Sequence, residues 1–292
     1  MFSKINNIIY LKNEPLSQHS SFNVGGNAKH FVVAKNIDAL LDTLNTCKQH
    51  SINFKLIGNG SNMLFDDLGF EGVIIKYADD LIEFKNSTLN VSSGATLSSL
   101  IQFCQQHDLG GFEFAIGVPA QVGGAIVNNL GAYNQQISDY IKYVTVLKNN
   151  KIVYLPKDDC KFSYHSSGLQ NGKDVVLGAT FNPPFQEGII TRVNALEFLN
   201  KRKSSQPLDL ANAGSIFRRD KNIIPARLID EAGLKGLSIG NAQVSTKHAG
   251  FIVNLGNAKC SEILKLIELI KNKIYEKYKI NLQTEIEYLP YI

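Results

Sequence analysis

The chain has 292 residues, with 44% hydrophobic and 19% charged side chains and 23 Gly against 8 Pro, an ordinary globular composition that excludes disordered and fibrous classes. At roughly 100–200 residues per domain this implies two or three domains, enough chain to bury a sizeable core. The 30 basic and 26 acidic residues leave a net charge of +4, and only Lys201-Arg202-Lys203 cluster, so no basic stripe for nucleic acid is present.

Cys47, Cys104, Cys160 and Cys260 form no C-x-x-C pair and have no histidine at ligand spacing, so neither disulfides nor a metal site is expected. The first fifteen residues hold no signal-like hydrophobic stretch. The most apolar window, 109–127, is interrupted by Glu113, Pro119 and Gln121. A cytoplasmic location without membrane attachment is the expectation.

In chain order, Phe31–Ala34 reads as a strand, and Ile37 to His50 as a helix because Ile37, Leu40, Leu41, Leu44 and Cys47 recur at helical spacing. Phe54–Ile57 is a strand running into the turn Gly58-Asn59-Gly60-Ser61-Asn62. Val73–Lys76 is a further strand, 81–92 suits a hairpin, and Leu97 to His107 is a helix that Thr96 caps. Residues 110–133 are dominated by glycine and small side chains. Two strands are expected in 141–155 around Asn149-Asn150, then a helix over Val193–Lys203. The texture changes over 183–207, where the main boundary is placed. Ile263, Ile267, Ile270, Ile274 and Tyr278 make the core-facing stripe of a long helix, and Leu282, Thr284, Ile286 and Tyr288 alternate as a closing strand.

Two glycine-rich segments carry candidate chemistry. The turn 58–62 gathers backbone N–H groups and short polar side chains after a strand, which suits an anionic pyrophosphate, although ligand-free Gly/Asn turns are common. In Gly117-Val118-Pro119-Ala120-Gln121-Val122-Gly123-Gly124-Ala125 the lack of bulk implies close backbone approach, either to a ligand or to a second backbone segment. Asn128 and Asn129 add amide donors and Tyr133 a ring, a set that fits a large, flat, hydrogen-bonding cofactor. Ser215 follows the turn Asn212-Ala213-Gly214 with Arg218 and Arg219 behind it, a pattern that by itself reads as a turn serine beside a solvated charge pair. Glu285 and Glu287 share a strand face with Gln283, as on a solvent edge.

The order of these segments resembles the UDP-N-acetylenolpyruvoylglucosamine reductase family in its shorter type. The pieces are SSFNVGGNA at 20–28, LIGNGSNMLF at 56–65, GVPAQVGGAIVNNLGAY at 117–133, FSYHSS at 162–167, NAGSIF at 212–217, LIDEAGLKG at 228–236, VSTKHAGFIVN at 244–254 and LQTEIE at 282–287. The resemblance implies an α+β protein in which a two-subdomain FAD-binding module of the PCMH/vanillyl-alcohol-oxidase-like type (1–77 and 78–190) precedes an α+β substrate-binding domain (191–292). Its last strand is expected to return toward the FAD module.

The resemblance further implies flavin contacts from Gly58, Asn59, Gly60, Ser61 and Asn62, and from Gly117, Val118, Pro119, Gly123, Gly124 and Ala125. Ser215 is implied as proton donor, Glu285 as its assistant in one pocket, and Tyr133, Arg218, Lys247 and His248 as substrate contacts. NADPH is the implied reductant of FAD, a UDP-sugar the substrate, and a monomer the expected state. The sequence departs from the family where Tyr164-His165-Ser166-Ser167 carries His165 in place of a catalytic arginine, which makes a permanent cation conditional on pH. An FAD oxidase on the same cofactor fold, or a flavin-binding homologue that has lost catalysis, are the alternative readings.

Overall fold

The structure is a computed structural model that describes residues 2–220 and 222–292. In chain order its first elements are β1 (Ile8–Pro15), β2 (Asn27–Ala34), α1 (Ile37–Gln49), β3 (Phe54–Ile57), β4 (Met63–Phe65) and β5 (Phe70–Tyr77). Then come β6 (Ile82–Lys85), β7 (Thr88–Ser92), α2 (Leu97–Gln106), α3 (Val122–Val127), β8 (Gly131–Ala132) and β9 (Gln135–Gln136). The remainder is β10 (Ile141–Lys148), β11 (Lys151–Pro156), β12 (Val175–Phe181), α4 (Gly188–Ser205), α5 (Pro225–Glu231), β13 (Ser238–Ile239), β14 (Ala242–Val244), β15 (Ile252–Asn254), α6 (Cys260–Tyr278) and β16 (Glu287–Leu289).

Two compact units share the chain. The first comprises 1–10, 32–58 and 75–201; the second comprises 11–31, 59–74 and 202–292. Strands β1, β2, β5 and β3 form a sheet in the order β1-β2-β5-β3.

In the first unit a five-stranded sheet, ordered β11-β10-β12-β7-β6, packs against α2 and α3 over a core that includes Leu89, Val91, Leu100, Ile101, Phe112, Phe114 and Phe181. The α2 start is capped as expected: the Thr96 side chain accepts the Ser99 N–H. The β10–β11 hairpin turns at Asn149 and Asn150, both with positive φ, a conformation that asparagine tolerates better than most residues. Helix α4 is longer than the periodicity of 193–203 indicates, because Thr191 is already part of its buried face.

In the second unit the sheet β13-β14-β15 packs on α6. Ile263, Ile267, Ile270 and Ile274 are all buried, as the stripe requires. The start of α6 is held by Asp67, whose carboxylate accepts the Cys260 N–H at 2.6 Å and the Ser261 N–H at 3.0 Å.

The closing strand differs from its expected form. Only Glu287–Leu289 pairs as a strand, parallel to β4, with Leu289 buried and Tyr288 exposed. Residues 283–285 instead bond sideways, through Arg218 N–H to the Gln283 carbonyl (2.8 Å) and Glu285 N–H to the Ile216 carbonyl (2.8 Å). Alternation holds from Leu282 to Ile286, where the chain bends, so Tyr288 turns outward and donates its hydroxyl to Asp66.

Candidate active site

In the first unit the loop from Gly117 is zipped onto residues 93–97. Leu97 N–H donates to the Ala120 carbonyl (3.1 Å), Val122 N–H to Ala95 (2.8 Å) and Gly123 N–H to Ser93 (2.9 Å), while the buried Gln121 amide donates to Gly94 (2.8 Å). Its two central glycines serve different ends. A Cβ on Gly123 would stand 2.6 Å from the Ser93 Cβ, so Gly123 is required by packing; a Cβ on Gly124 would meet nothing within 4 Å. The open backbone at Gly124 is a cradle that a flat ligand can approach and that a larger side chain would fill, so the segment fits the isoalloxazine-type cofactor expected there.

The FSYHSS segment is pinned to the end of α3. Ser167 Oγ donates to the Val127 carbonyl at 2.6 Å, and the fully buried Asn129 donates to the Ser163 carbonyl at 2.7 Å and to Gln136 Oε1 at 2.9 Å. Asn129 is therefore no cofactor donor, contrary to the expectation, because its amide is spent on the fold. It secures the root of a tight turn closed by reciprocal Ser163–Ser166 backbone bonds, with His165 in the left-handed region at φ +49° beside the Tyr164 ring. Tyr133 stacks on Phe198 at 4.7 Å between ring centroids.

In the second unit three sequence-distant segments converge. Gly60 sits at φ +63°, and a Cβ there would stand 2.0 Å from the His19 carbonyl oxygen, so only glycine fits this turn. Asn62 donates to the Glu285 carbonyl (3.2 Å) and accepts from Glu287 N–H (2.9 Å). Ser215 lies in a strip threaded between two neighbours, since it bridges Phe251 while Ile216 bonds Gly250 on one side and Glu285 on the other. The turn before it is internally fixed: Asn212 Nδ2 donates to the Pro207 and Leu210 carbonyls, and Gly214 N–H donates to Asn212 Oδ1 at 3.0 Å. A Cβ on Gly214 would meet nothing within 4 Å, so the approach to exposed Ser215 is open. Asn62, Ser215 and the half-buried Glu285 thus share one hydrogen-bonded backbone frame.

Lys247 and His248 line a cavity of about 370 Å³ with Arg227, Asp230, Glu231 and Lys235. Lys247 also borders a second cavity of about 500 Å³ with Lys203, Gln206 and Asp209, and its ammonium donates to the Lys203 carbonyl at 2.5 Å. Burial pushes the His248 imidazole below the ordinary histidine range, and Nδ1 accepts the Gly250 N–H at 3.1 Å. Arg227, one of the arginines that the sequence offers as a pocket cation, lines this cavity, and so does Lys235, which sequence reasoning did not single out although it lies inside the LIDEAGLKG segment. Among the described residues no cluster of His, Cys, Asp and Glu is placed to hold a metal, and no helix is long and apolar enough to cross a membrane.

Residues 28–152 match a family model described as FAD binding domain, and residues 206–289 match one described as UDP-N-acetylenolpyruvoylglucosamine reductase, C-terminal domain. The reductase of that name from Caldicellulosiruptor saccharolyticus is 38% identical over 287 residues, covering 97% of this chain and 93% of that protein. The chain belongs to the UDP-N-acetylenolpyruvoylglucosamine reductase family. The Caldicellulosiruptor bescii member is 39% identical over 293 residues, covering 99% of this chain and 93% of the other. A crystal structure of the Thermus caldophilus enzyme superposes with a TM-score of 0.82 at 28% identity, covering 97% of this chain and 99% of that one. Membership bears out the FAD-dependent oxidoreductase assignment and the FAD-binding α+β fold expected from the motifs.

Proposed function

We propose that this chain reduces UDP-N-acetylenolpyruvoylglucosamine to UDP-N-acetylmuramate with NADPH, as a monomer in the cytoplasm, for peptidoglycan precursor synthesis. The observation that carries the assignment of residues is the shared frame of Asn62, Ser215 and Glu285, which gathers three motifs of the family at one place in the second unit. Residues 1–77 and 78–190 are read as the cofactor subdomains and 191–292 as the substrate domain.

Gly58, Asn59, Gly60, Ser61 and Asn62 on one turn, and Gly117, Val118, Pro119, Gly123, Gly124 and Ala125 on the other, are the residues that would hold FAD. When bound, FAD supplies the hydride chemistry. The chain's own task is to stabilise and protonate what the hydride leaves behind. With hydride added at the terminal vinyl carbon, charge builds on the neighbouring carbon and its carboxylate, and Ser215 Oγ–H gives that carbon a proton. Glu285 assists from the adjoining backbone, and a cation from Arg218 or from protonated His165 offsets the developing charge. Tyr133, Lys247 and His248 bind substrate; in the cavity of Lys247 and His248 the Lys235 and Arg227 charges are balanced by Asp230 and Glu231 at 2.7 Å each, so Lys247 is left to meet the nucleotide's phosphates.

The test is a pair of half-reactions followed by flavin absorbance. Anaerobic NADPH is expected to bleach the flavin, and UDP-N-acetylenolpyruvoylglucosamine to restore its colour in a single turnover. Bleaching by an alcohol or sugar without NADPH would replace this reading with an oxidase. A reduced flavin that the substrate leaves reduced would make His165 the mark of a homologue that has lost the reaction.

A further inference from the structure

One buried carboxylate has no part in the reaction above. Glu113, in the first unit, is only 4% exposed and lies between the buried rings of Phe112 and Phe114. A carboxylate in such a place is costly unless donors meet its oxygens. Gly111 N–H donates to Oε2 at 2.7 Å, and the Gln186 side-chain amide donates to Oε1. The same amide nitrogen donates to Thr191 Oγ1 at 2.9 Å, and that hydroxyl donates to the Leu109 carbonyl at 2.9 Å.

The direction of this relay is fixed by counting hydrogens. The threonine hydroxyl has one, given to Leu109, and the amide nitrogen has two, given to Thr191 and Glu113; Glu113 must therefore accept on both oxygens. Backbone bonds run alongside, from Gly110 N–H to Pro184 (3.0 Å), Gln186 N–H to Asp108 (2.9 Å) and Gly188 N–H to Asp108 Oδ1 (2.8 Å). Residues 108–113 are thereby stapled to the first turn of α4. From the staple, Glu113 starts a one-turn 3₁₀ helix whose carbonyls accept from Ile116 (3.1 Å, at Glu113) and Val118 (3.1 Å, at Ala115). A hydrogen-bonded path therefore leads from the carboxylate to the first residues of the Gly117–Ala125 loop.

We infer that Glu113 is the positioning residue of the cofactor loop, acting through the Gly111–Glu113–Gln186–Thr191 relay to fix where the open Gly124 backbone is presented. This rests on the reading of Gly117–Ala125 as flavin contacts. Glu113→Gln is the decisive change, because it keeps the shape but removes the charge and one acceptor oxygen: either an NH₂ group faces a donor, or the Gln186 amide flips and gives up its bond to Thr191. Its FAD dissociation constant, read by flavin fluorescence, is expected to rise about tenfold, with an altered visible circular dichroism of the bound flavin. Exchanging the pair, Glu113→Gln with Gln186→Glu, restores one donor–acceptor contact and is expected to recover part of that loss.

Wild-type affinity in Glu113→Gln would overturn the inference. So would a rise in dissociation constant that a core variant of equal stability loss, Leu100→Ala, reproduces with an unchanged flavin spectrum. Should Glu113→Gln fail to fold, Thr191→Val takes its place: it leaves the carboxylate intact and opens the far end of the relay, and unchanged FAD binding in it would overturn the inference equally. A wild-type chain that takes up no FAD would instead overturn the cofactor assignment itself.

Discussion

The Asn62 side-chain amide and the Glu285 carbonyl meet at 3.2 Å although 223 positions separate them in sequence. A residue of the first glycine turn therefore fixes the height of the segment that carries Glu285, the proposed assistant of Ser215. A net hydrogen bond is worth about 1 kcal/mol, a factor of about five in rate if it acts on the reactive geometry. Asn62→Ala is expected to slow flavin reoxidation by the UDP-sugar at least that much in stopped flow. A normal reoxidation rate with weakened FAD binding would confine Asn62 to the cofactor.

Gly60→Ala and Gly124→Ala are expected to fail in opposite ways. The first forces a Cβ to within 2.0 Å of the His19 carbonyl oxygen, so the thermal midpoint of the apoprotein should fall or the protein should not accumulate. The second adds a methyl where nothing lies within 4 Å, in a short helix that gains about 1 kcal/mol from exchanging Gly for Ala. Apoprotein stability should hold or rise while the FAD dissociation constant increases about tenfold; undiminished FAD binding would remove Gly124 from the flavin site.

Ser215→Ala leaves the backbone bridge to Phe251 in place, so the fold should not register it. General acid catalysis is typically worth ~10²–10⁴-fold, and that loss should fall on reoxidation by substrate, with reduction by NADPH nearly intact. Equal slowing of both half-reactions would make Ser215 a ligand-positioning group.

His248 gives stability a pH dependence of definite sign. Burial lowers its folded-state pKa, and Lys235 adds to that, against the opposing effects of a backbone hydrogen bond and Asp230. The unfolded chain therefore takes up the proton at higher pH, near the ordinary value of about 6.5. The stability is fully present above that value and is lost as pH falls toward the folded value. His248→Asn keeps an acceptor for Gly250 N–H but does not titrate, and His30, also lowered, is common to both proteins. The stability advantage of wild type over the variant should shrink between about pH 7.5 and 5 in urea titrations; a constant difference would show that His248 does not titrate on unfolding.

What could be read from sequence follows the range of the forces involved. The Thr96 cap and the Ile263–Ile274 stripe are decided within a few residues, and both stand as expected. The glycine segments were legible as places of close approach, but only the position of Ser93 separates Gly123, which packs, from Gly124, which is open. The period-2 pattern of 282–288 misled only at its end, because the chain bends at Ile286 to pair residues 287–289 with β4, far away in sequence. Asn129 and Glu113 look like ligand or surface residues until Ser163 and Gln186 are seen beside them. The left-handed turn at His165 carries no glycine to announce it.

The interleaved path of the chain constrains how the protein is made. The core of the second unit joins Phe22, Val24 and Leu64 to Ile216 and the α6 isoleucines, and β16 pairs with β4. Early residues of this unit are therefore synthesised long before their partners and must remain uncommitted while the segment 75–201 folds. Such long-range closure is entropically late and slow, and it leaves Phe22, Val24 and Leu64 available to chaperones or to aggregation in the interval. A fragment beginning at Arg202 would hold most of the secondary structure of this unit yet lack part of its core, so cutting the chain at its most obvious boundary should yield a molten fragment.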